Sequence, residues 1–257
     1  MFPDYHMHTN FSDGRDSHED MLESAEFKNM LEIGFTDHIC LYPIGWAMDL
    51  AKIPQMVSNI EKLQRKSQMV KVRLGIEMDY FPDKEKNIKA LLKTIPLDYC
   101  IGSVHFIDDW NFDSDIRPYD AIDLDWFYRK YFELVQKSVK TGLFDIIGHC
   151  DLAKKFGYKP SIKLDKIYKE TAKIMSDYGV VVEYNTSGKN KPCAEFYPSV
   201  DFLEYLYHYK VPVTLGSDAH VEQNIGEYFD EAVNVLKLIG FSKLTLFSGR
   251  KRDYLTI

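Results

Sequence analysis

Six of the eight histidines in this chain stand where an apolar, strand-like run comes to an end: His6, His8, His38, His105, His149 and His220. A strand that delivers a polar ligand at its carboxyl end, repeated along a chain, restricts the fold to one in which those ends meet. Residues two apart on a strand share a face, so His6 and His8 aim two imidazoles at one point. Standing alone, such a pair near a terminus reads as two surface side chains, and the other four histidines change that reading. His18 and His208 fall inside helical patterns and are set aside as incidental.

Runs of β-branched and aromatic residues mark strands at 2–8, 32–38, 71–79, 98–105, 144–150, 180–185 and 211–218, with a further candidate at 243–247. Apolar residues at three- and four-residue spacing mark helices at 17–31, 51–67, 84–93, 124–141, 164–178, 200–209 and 226–238. Parallel neighbours need crossover connections, so strict alternation of strand and helix implies a parallel α/β sheet. Seven or eight such units in 257 residues fit a barrel better than an open sheet, and no linker or repeat divides them. A single domain over residues 1–257 is therefore expected. In a barrel the carboxyl ends of the strands form one rim, where active sites of this architecture are built.

Two connections are longer than a tight barrel requires. Residues 39–50 contain Tyr42, Pro43, Gly45 and Trp46; residues 106–123 contain Trp110, Phe112, Arg117 and the aspartates 108, 109, 113 and 115. Both follow ligand-bearing strands, so both are expected to overhang the rim and shape a pocket.

A formal charge of −7 with no basic stripe speaks against nucleic acid as a partner. It leaves room for a small anionic substrate, because charges beyond a Debye length of about 8 Å are largely screened and the local field decides. No run is long and apolar enough for a membrane span, and the first residues, with Asp4 and His6, lack the pattern of a signal peptide. Cys40, Cys100, Cys150 and Cys193 form no CxxC pair, so reduced thiols and a cytoplasmic setting are expected.

Collected, the strand-end ligands are His6, His8, Asp13, His38, Glu77, His105, His149, Asp218 and His220. Nine imidazoles and carboxylates are too many for one tetrahedral ion, and the lack of thiolates argues against a structural zinc knot. Mixed nitrogen and oxygen donors suit zinc, iron or manganese, and their number implies two or three divalent ions. Asp13, Glu77 and Asp218 packed together without cations would raise one another's pKa values and cost stability. Three divalent ions reverse the sign to about +3, or about +2 with one bridging hydroxide, and such a site attracts a phosphate dianion.

The ordered motifs His6-Met7-His8-Thr9, Thr36-Asp37-His38, Gly75-Ile76-Glu77, Gly102-Ser103-Val104-His105, Gly148-His149-Cys150-Asp151, Glu183-Tyr184-Asn185-Thr186-Ser187-Gly188 and Gly216-Ser217-Asp218-Ala219-His220 resemble the polymerase and histidinol phosphatase (PHP) family. More narrowly they are similar to its histidinol-phosphate phosphatases, from residue 6 to about 220. The resemblance implies a distorted, TIM-like (β/α)7 barrel with a trinuclear site. It assigns His6, His8, Glu77 and Asp218 to a first metal. Glu77, His105 and His149 go to a second, and Asp13, His38 and His220 to a third. It further implies hydrolysis of L-histidinol phosphate to L-histidinol and phosphate, in histidine biosynthesis, by direct attack of a hydroxide bridging the first two metals. Glu77, His105 and Asp218 are then catalytic. Asp37 and Asp151 are candidates for protonating the leaving group, with Asp37 equally placed to orient a ligand histidine.

In similar phosphatases basic residues after the fifth strand and after the Asn-Thr-Ser-Gly segment help hold the phosphate. Arginines common there are replaced here by lysines, leaving Lys154 or Lys155 and Lys189 or Lys191 as candidates, with Arg15 as another. A lysine binds phosphate as a point charge without the bidentate fork of arginine. Asn185 and the acidic, aromatic stretch 108–115 are candidates for the remainder of the substrate. Two other readings stay open: a PHP-family phosphoesterase for a nucleotide, an oligonucleotide end or phosphotyrosine, and a non-catalytic metal-binding module, against which the presence of all nine ligands counts.

Overall fold

A computed structural model describes the chain from residue 1 to 257. In chain order the elements are β1 (Pro3–Asp4), α1 (His18–Phe27), β2 (Glu32–Phe35), β3 (His38–Ile39), α2 (Ile53–Lys66), β4 (Lys71–Leu74), β5 (Glu77–Asp79), α3 (Glu85–Leu92), β6 (Ile101–Ser103), β7 (Phe106–Ile107), β8 (Trp110–Asn111), α4 (Leu124–Lys140), β9 (Ile146–Ile147), α5 (Asp165–Tyr178), β10 (Val181–Asn185), α6 (Val200–His208), β11 (Val213–Gly216), α7 (Phe229–Ile239), β12 (Lys243–Ser248) and β13 (Lys251–Thr256).

Seven parallel positions make the barrel: β1, β2 continued by β3, β4 continued by β5, then β6, β9, β10 and β11. The register sets Pro3 beside Glu32, Glu32 beside Lys71, His38 beside Glu77, Glu77 beside Ile101, Gly102 beside Ile147, and Val182 beside both Ile147 and Val213. The ring closes between the first and last positions: Tyr5 N–H donates to Leu215 O at 3.1 Å, Asp218 N–H to His6 O at 2.8 Å, and His8 N–H to Ala219 O at 2.8 Å. The arrangement is thus the distorted (β/α)7 barrel that the motifs implied.

The helices turn apolar faces inward at helical spacing, as Met56, Ile60 and Leu63 of α2 do, and one cluster of 60 buried side chains runs through the molecule. Inside the barrel, Tyr99 crosses against β2 and β4, where a Cβ on Gly34 or Gly75 would overlap its ring or hydroxyl. Its hydroxyl donates to Tyr5 O at 2.7 Å. With Tyr5, Ile101, Ile146, Val181 and Phe247 it fills the barrel below the rim as a buried, largely apolar layer.

Phe247 comes from the segment that the sequence left as a possible eighth unit. The structure corrects this: β12 pairs antiparallel with β13, and the hairpin plugs the amino-terminal mouth of the barrel instead of joining its wall. Asp98 and Asp145 bind the hairpin turn through Gly249 N and the Arg250 guanidinium. The plug leaves the carboxyl-terminal rim as the open end. No helix is long and apolar enough to cross a membrane.

Candidate metal centre and active site

The rim gathers all nine strand-end ligands, and Glu77 stands at their centre. Its Oε2 lies 3.2 Å from His6 Nε2 and 3.5 Å from His8 Nε2, while Asp218 Oδ1 lies 3.1 Å from His8 Nε2 and 3.7 Å from His6 Nε2. The other oxygen of Glu77, Oε1, faces His149 Nε2 at 2.9 Å and His105 Nε2 at 3.7 Å. A third group forms around Asp13, with His38 Nε2 at 3.7 Å and His220 Nε2 at 3.4 Å. His38 also presents Nδ1 to Glu77 Oε2 at 2.7 Å, so this ring stands between the first and third groups.

An ion about 2.1 Å from each ligand spaces tetrahedral donors about 3.4 Å apart. The first group has that spacing, and the division of the Glu77 oxygens between two groups is what a bridging carboxylate requires. His6 Nε2 and Glu77 Oε2 are buried yet have no hydrogen-bond partner, an expensive condition that a cation relieves. The donor set therefore fits divalent ions.

Backbone geometry turns two of the ligands into place. His149 (φ 21°) and Asp218 (φ 54°) adopt left-handed conformations that cost non-glycine residues about 1–3 kcal/mol each, a cost typical of functional sites. Charge is arranged to match. Burial pushes Glu77 up, yet His38, His6 and His149 hold its carboxyl well below the ordinary range. Burial opposes charge on His105 too, but Asp79 and then Glu77 raise it to about 10. His8 falls to about 4 under burial and the neighbouring His38 and His220.

Several residues that hold the ligands escaped the sequence reading. Asp79 Oδ1 accepts the Nδ1–H of His105 at 2.7 Å. Glu183 does the same for His6 at 2.6 Å and takes the His149 N–H at 2.8 Å with its second oxygen. Such partners fix which nitrogen faces a metal. Each had a signal: Asp79 sits two positions after Glu77 on the same strand, and Glu183 is an acid directly after the apolar run Val180-Val181-Val182, still within the strand. His18, set aside as incidental, is buried with Nε2 3.4 Å from Asp37.

A cavity of about 330 Å³ opens over the centre. Its wall includes Trp46 and the pair Asp113 and Ser114, so both long connections overhang the rim as expected. Beside the ligands, Lys155, Lys191, Leu152, Ser187 and Tyr197 complete it, the last three unforeseen.

The remaining candidates lie elsewhere, and the expectations for them are corrected. Asp37 cannot reach a leaving group: it accepts from Thr9 N at 2.8 Å and Ser12 Oγ at 2.7 Å and ties down the turn that carries Asp13. Asp151 is buried against Ser199 N and Lys154. Lys154 spends its ammonium on Asp151, Glu195 and Phe196 O, while its neighbour Lys155 faces the cavity. Lys189 pairs with Glu231 outside, and Arg15 is exposed without an ion pair. Asn185 is buried, receives Ser187 N–H, and approaches Asp218 Oδ2 at 3.4 Å, so it braces a ligand and does not line the cavity.

Known proteins agree with this geometry. The family model described as "PHP domain" matches residues 4–187. A probable histidinol-phosphatase of Deinococcus radiodurans is 37% identical over 224 residues, covering 84% of this chain and 85% of that one. A histidinol-phosphatase of Lactococcus lactis is 26% identical over 97% of this chain and 96% of its own length. The crystal structure of histidinol phosphate phosphatase from Lactococcus lactis, complexed with zinc, L-histidinol and phosphate, superposes with a TM-score of 0.88 over 98% of both chains at 26% identity. Matched over more than half its length by the family model, and sharing the barrel and the ordered ligand motifs, the chain belongs to the PHP domain family.

Proposed function

We propose that this protein is a metal-dependent phosphomonoesterase that hydrolyses L-histidinol phosphate to L-histidinol and inorganic phosphate, a step of histidine biosynthesis. The observation that carries the reading is the fusion of three ligand groups around Glu77 beneath a cavity walled by two positions for phosphate charge, Lys191 and Lys155, the latter also paired with Asp113 Oδ1 at 2.7 Å. The likeness to histidinol-phosphatases over nearly whole chains supports the substrate.

His6, His8, Glu77 and Asp218 would hold one ion, Glu77, His105 and His149 a second, and Asp13, His38 and His220 a third. When bound, two or three divalent ions of the zinc, iron or manganese type supply Lewis acidity, make hydroxide available at neutral pH and neutralise the oxygens of an in-line displacement. The chain's own residues prepare for that chemistry. Asp79 and Glu183 keep His105 and His6 in the tautomer with Nε2 free. Asn185 and Ser187 brace Asp218, the latter at 3.1 Å. Asp37, through Thr9 and Ser12, holds the turn between His8 and Asp13. Lys155 and Lys191 offer the phosphate dianion two positive charges, without the orientational grip an arginine fork would add.

Residues 1–257 act as one unit in this reading, which the single large core supports. The four unpaired cysteines support a cytoplasmic setting. Turnover of histidinol phosphate against a panel of nucleoside monophosphates, phosphotyrosine and 3′- and 5′-phosphorylated oligonucleotides tests the assignment. Histidinol phosphate should have the highest kcat/KM; a strong preference for any other ester would displace it, and metal retention without turnover of any ester would make the chain a binding module.

A further inference from the structure

The cavity wall carries one carboxylate that the nine-ligand set does not use. Asp113 comes from the long connection after β8, and its Oδ1 together with its own carbonyl oxygen accepts Lys155 Nζ, at 2.7 and 2.9 Å. The second carboxylate oxygen makes no hydrogen bond within the protein. An acid on the wall of a phosphate pocket opposes anion binding unless it meets a cation of its own. Lys155 answers to half of it. The other half has no partner in the protein, and the residue lines the space the substrate must fill.

The proposed substrate carries a primary ammonium four bonds from phosphorus, about 5 Å at full extension. A phosphate over the ligand groups therefore brings its ammonium no farther than the width of this small cavity. The rest of the wall offers that ammonium only Lys155, Lys191, neutral groups and the ligands themselves. We infer that Asp113 is the specificity-determining residue for aminoalkyl phosphates: Oδ1 keeps Lys155 turned to the cavity, and Oδ2 receives the substrate's ammonium. The inference rests on the phosphomonoesterase reading above and adds to it the residue that reads the amine. Placing the acid on a long connection, away from the barrel strands, separates recognition of the leaving group from the chemistry of the rim.

The test compares the zinc-loaded protein and its Asp113→Asn and Asp113→Glu variants on histidinol phosphate and on the same ester lacking the amine. Both esters lose some rate in Asp113→Asn because Lys155 loses an anchor. The ratio of kcat/KM between them should fall about ten- to hundredfold, the worth of a charge-assisted hydrogen bond. Asp113→Glu, which keeps the charge, should retain most of the ratio. Binding of L-histidinol itself, followed by calorimetry, should weaken in Asp113→Asn by a similar factor. An unchanged ratio in Asp113→Asn, or equal binding of L-histidinol, would overturn the inference while leaving the phosphatase reading intact. Failure of the unaltered protein to hydrolyse histidinol phosphate at all would overturn both.

Discussion

Asp79→Asn isolates the orientation of one ligand from the ligand itself. In the structure the buried Asp79 accepts the Nδ1–H of His105 at 2.7 Å, which leaves Nε2 free 3.7 Å from Glu77 Oε1. Asparagine keeps the volume and an acceptor oxygen but removes the charge and can present its amide instead, which favours the wrong tautomer. Outer partners of this kind are worth about 10–100-fold in metal affinity, or about 1.4–2.8 kcal/mol at 1.4 kcal/mol per tenfold. Competition against a chromophoric chelator should therefore show one weakened ion per chain, with the others unchanged and the circular dichroism spectrum retained. Raising free zinc a hundredfold should restore turnover to Asp79→Asn. It should not restore His105→Asn, which lacks the donor and should fall by orders of magnitude with its fold intact. Unaltered affinity in Asp79→Asn, or a loss that excess zinc cannot repair, would refute the positioning role.

Three further expectations follow from the same geometry. Asp13 and His220 are the most exposed of the nine, at 31% and 40% of their side chains, so dialysis should remove about one ion first and leave the two around Glu77, as read by elemental analysis; simultaneous loss of all ions would contradict this. In the metal-free chain His105 and His220 are raised to about 10 and about 9, burial being outweighed at His105 chiefly by Asp79 and at His220 by Asp13 and Asp218. Both then hold protons at neutral pH that metal must displace. Burial opposes charge on His6 as well, but Glu183, Glu77 and Asp218 raise it well above its ordinary value, which adds a third such proton. The metal-free state binds more protons than the loaded one, so zinc affinity must rise with pH, and calorimetry in buffers of different ionisation enthalpy should register release of about three protons near pH 7. Phe247→Ala should empty the barrel plug and cost about 3–5 kcal/mol, lowering Tm by about 10 °C for a chain of this size; a shift within a degree or two would mean the hairpin is dispensable.

Much of the site was legible because its chemistry is carried by strand ends. His6 and His8 obey the two-residue period of a strand, and the other ligands, except Asp13 in the turn after His8, stand at or just past the end of an apolar run, so alternation of strand and helix was enough to bring them to one rim. What stayed hidden depends on direction within a turn. Lys154 and Lys155 are adjacent and chemically identical, yet on a short helical turn they point opposite ways, one into Asp151 and Glu195, the other to the cavity. Asp37 looked like a candidate acid because it precedes a ligand; where His38 turns to the ligand groups, Asp37, in the link between β2 and β3, turns away toward Thr9 and His18. The partnership of His6 with Glu183 spans 177 residues and could not be paired from spacing, though an acid at the end of a valine run was a visible signal. β13 escaped notice because Lys251, Arg252 and Asp253 suit an exposed edge and show no apolar alternation.

The most direct test loads the metal-free protein stepwise with zinc while metal content and histidinol-phosphate turnover are followed together. Turnover should stay near zero until the two groups sharing Glu77 fill, then rise with them, and chelation should abolish it reversibly. Full turnover in protein shown by elemental analysis to hold less than a tenth of an ion per chain would contradict the central claim that Glu77 and its eight companions form a metal centre on which hydrolysis depends.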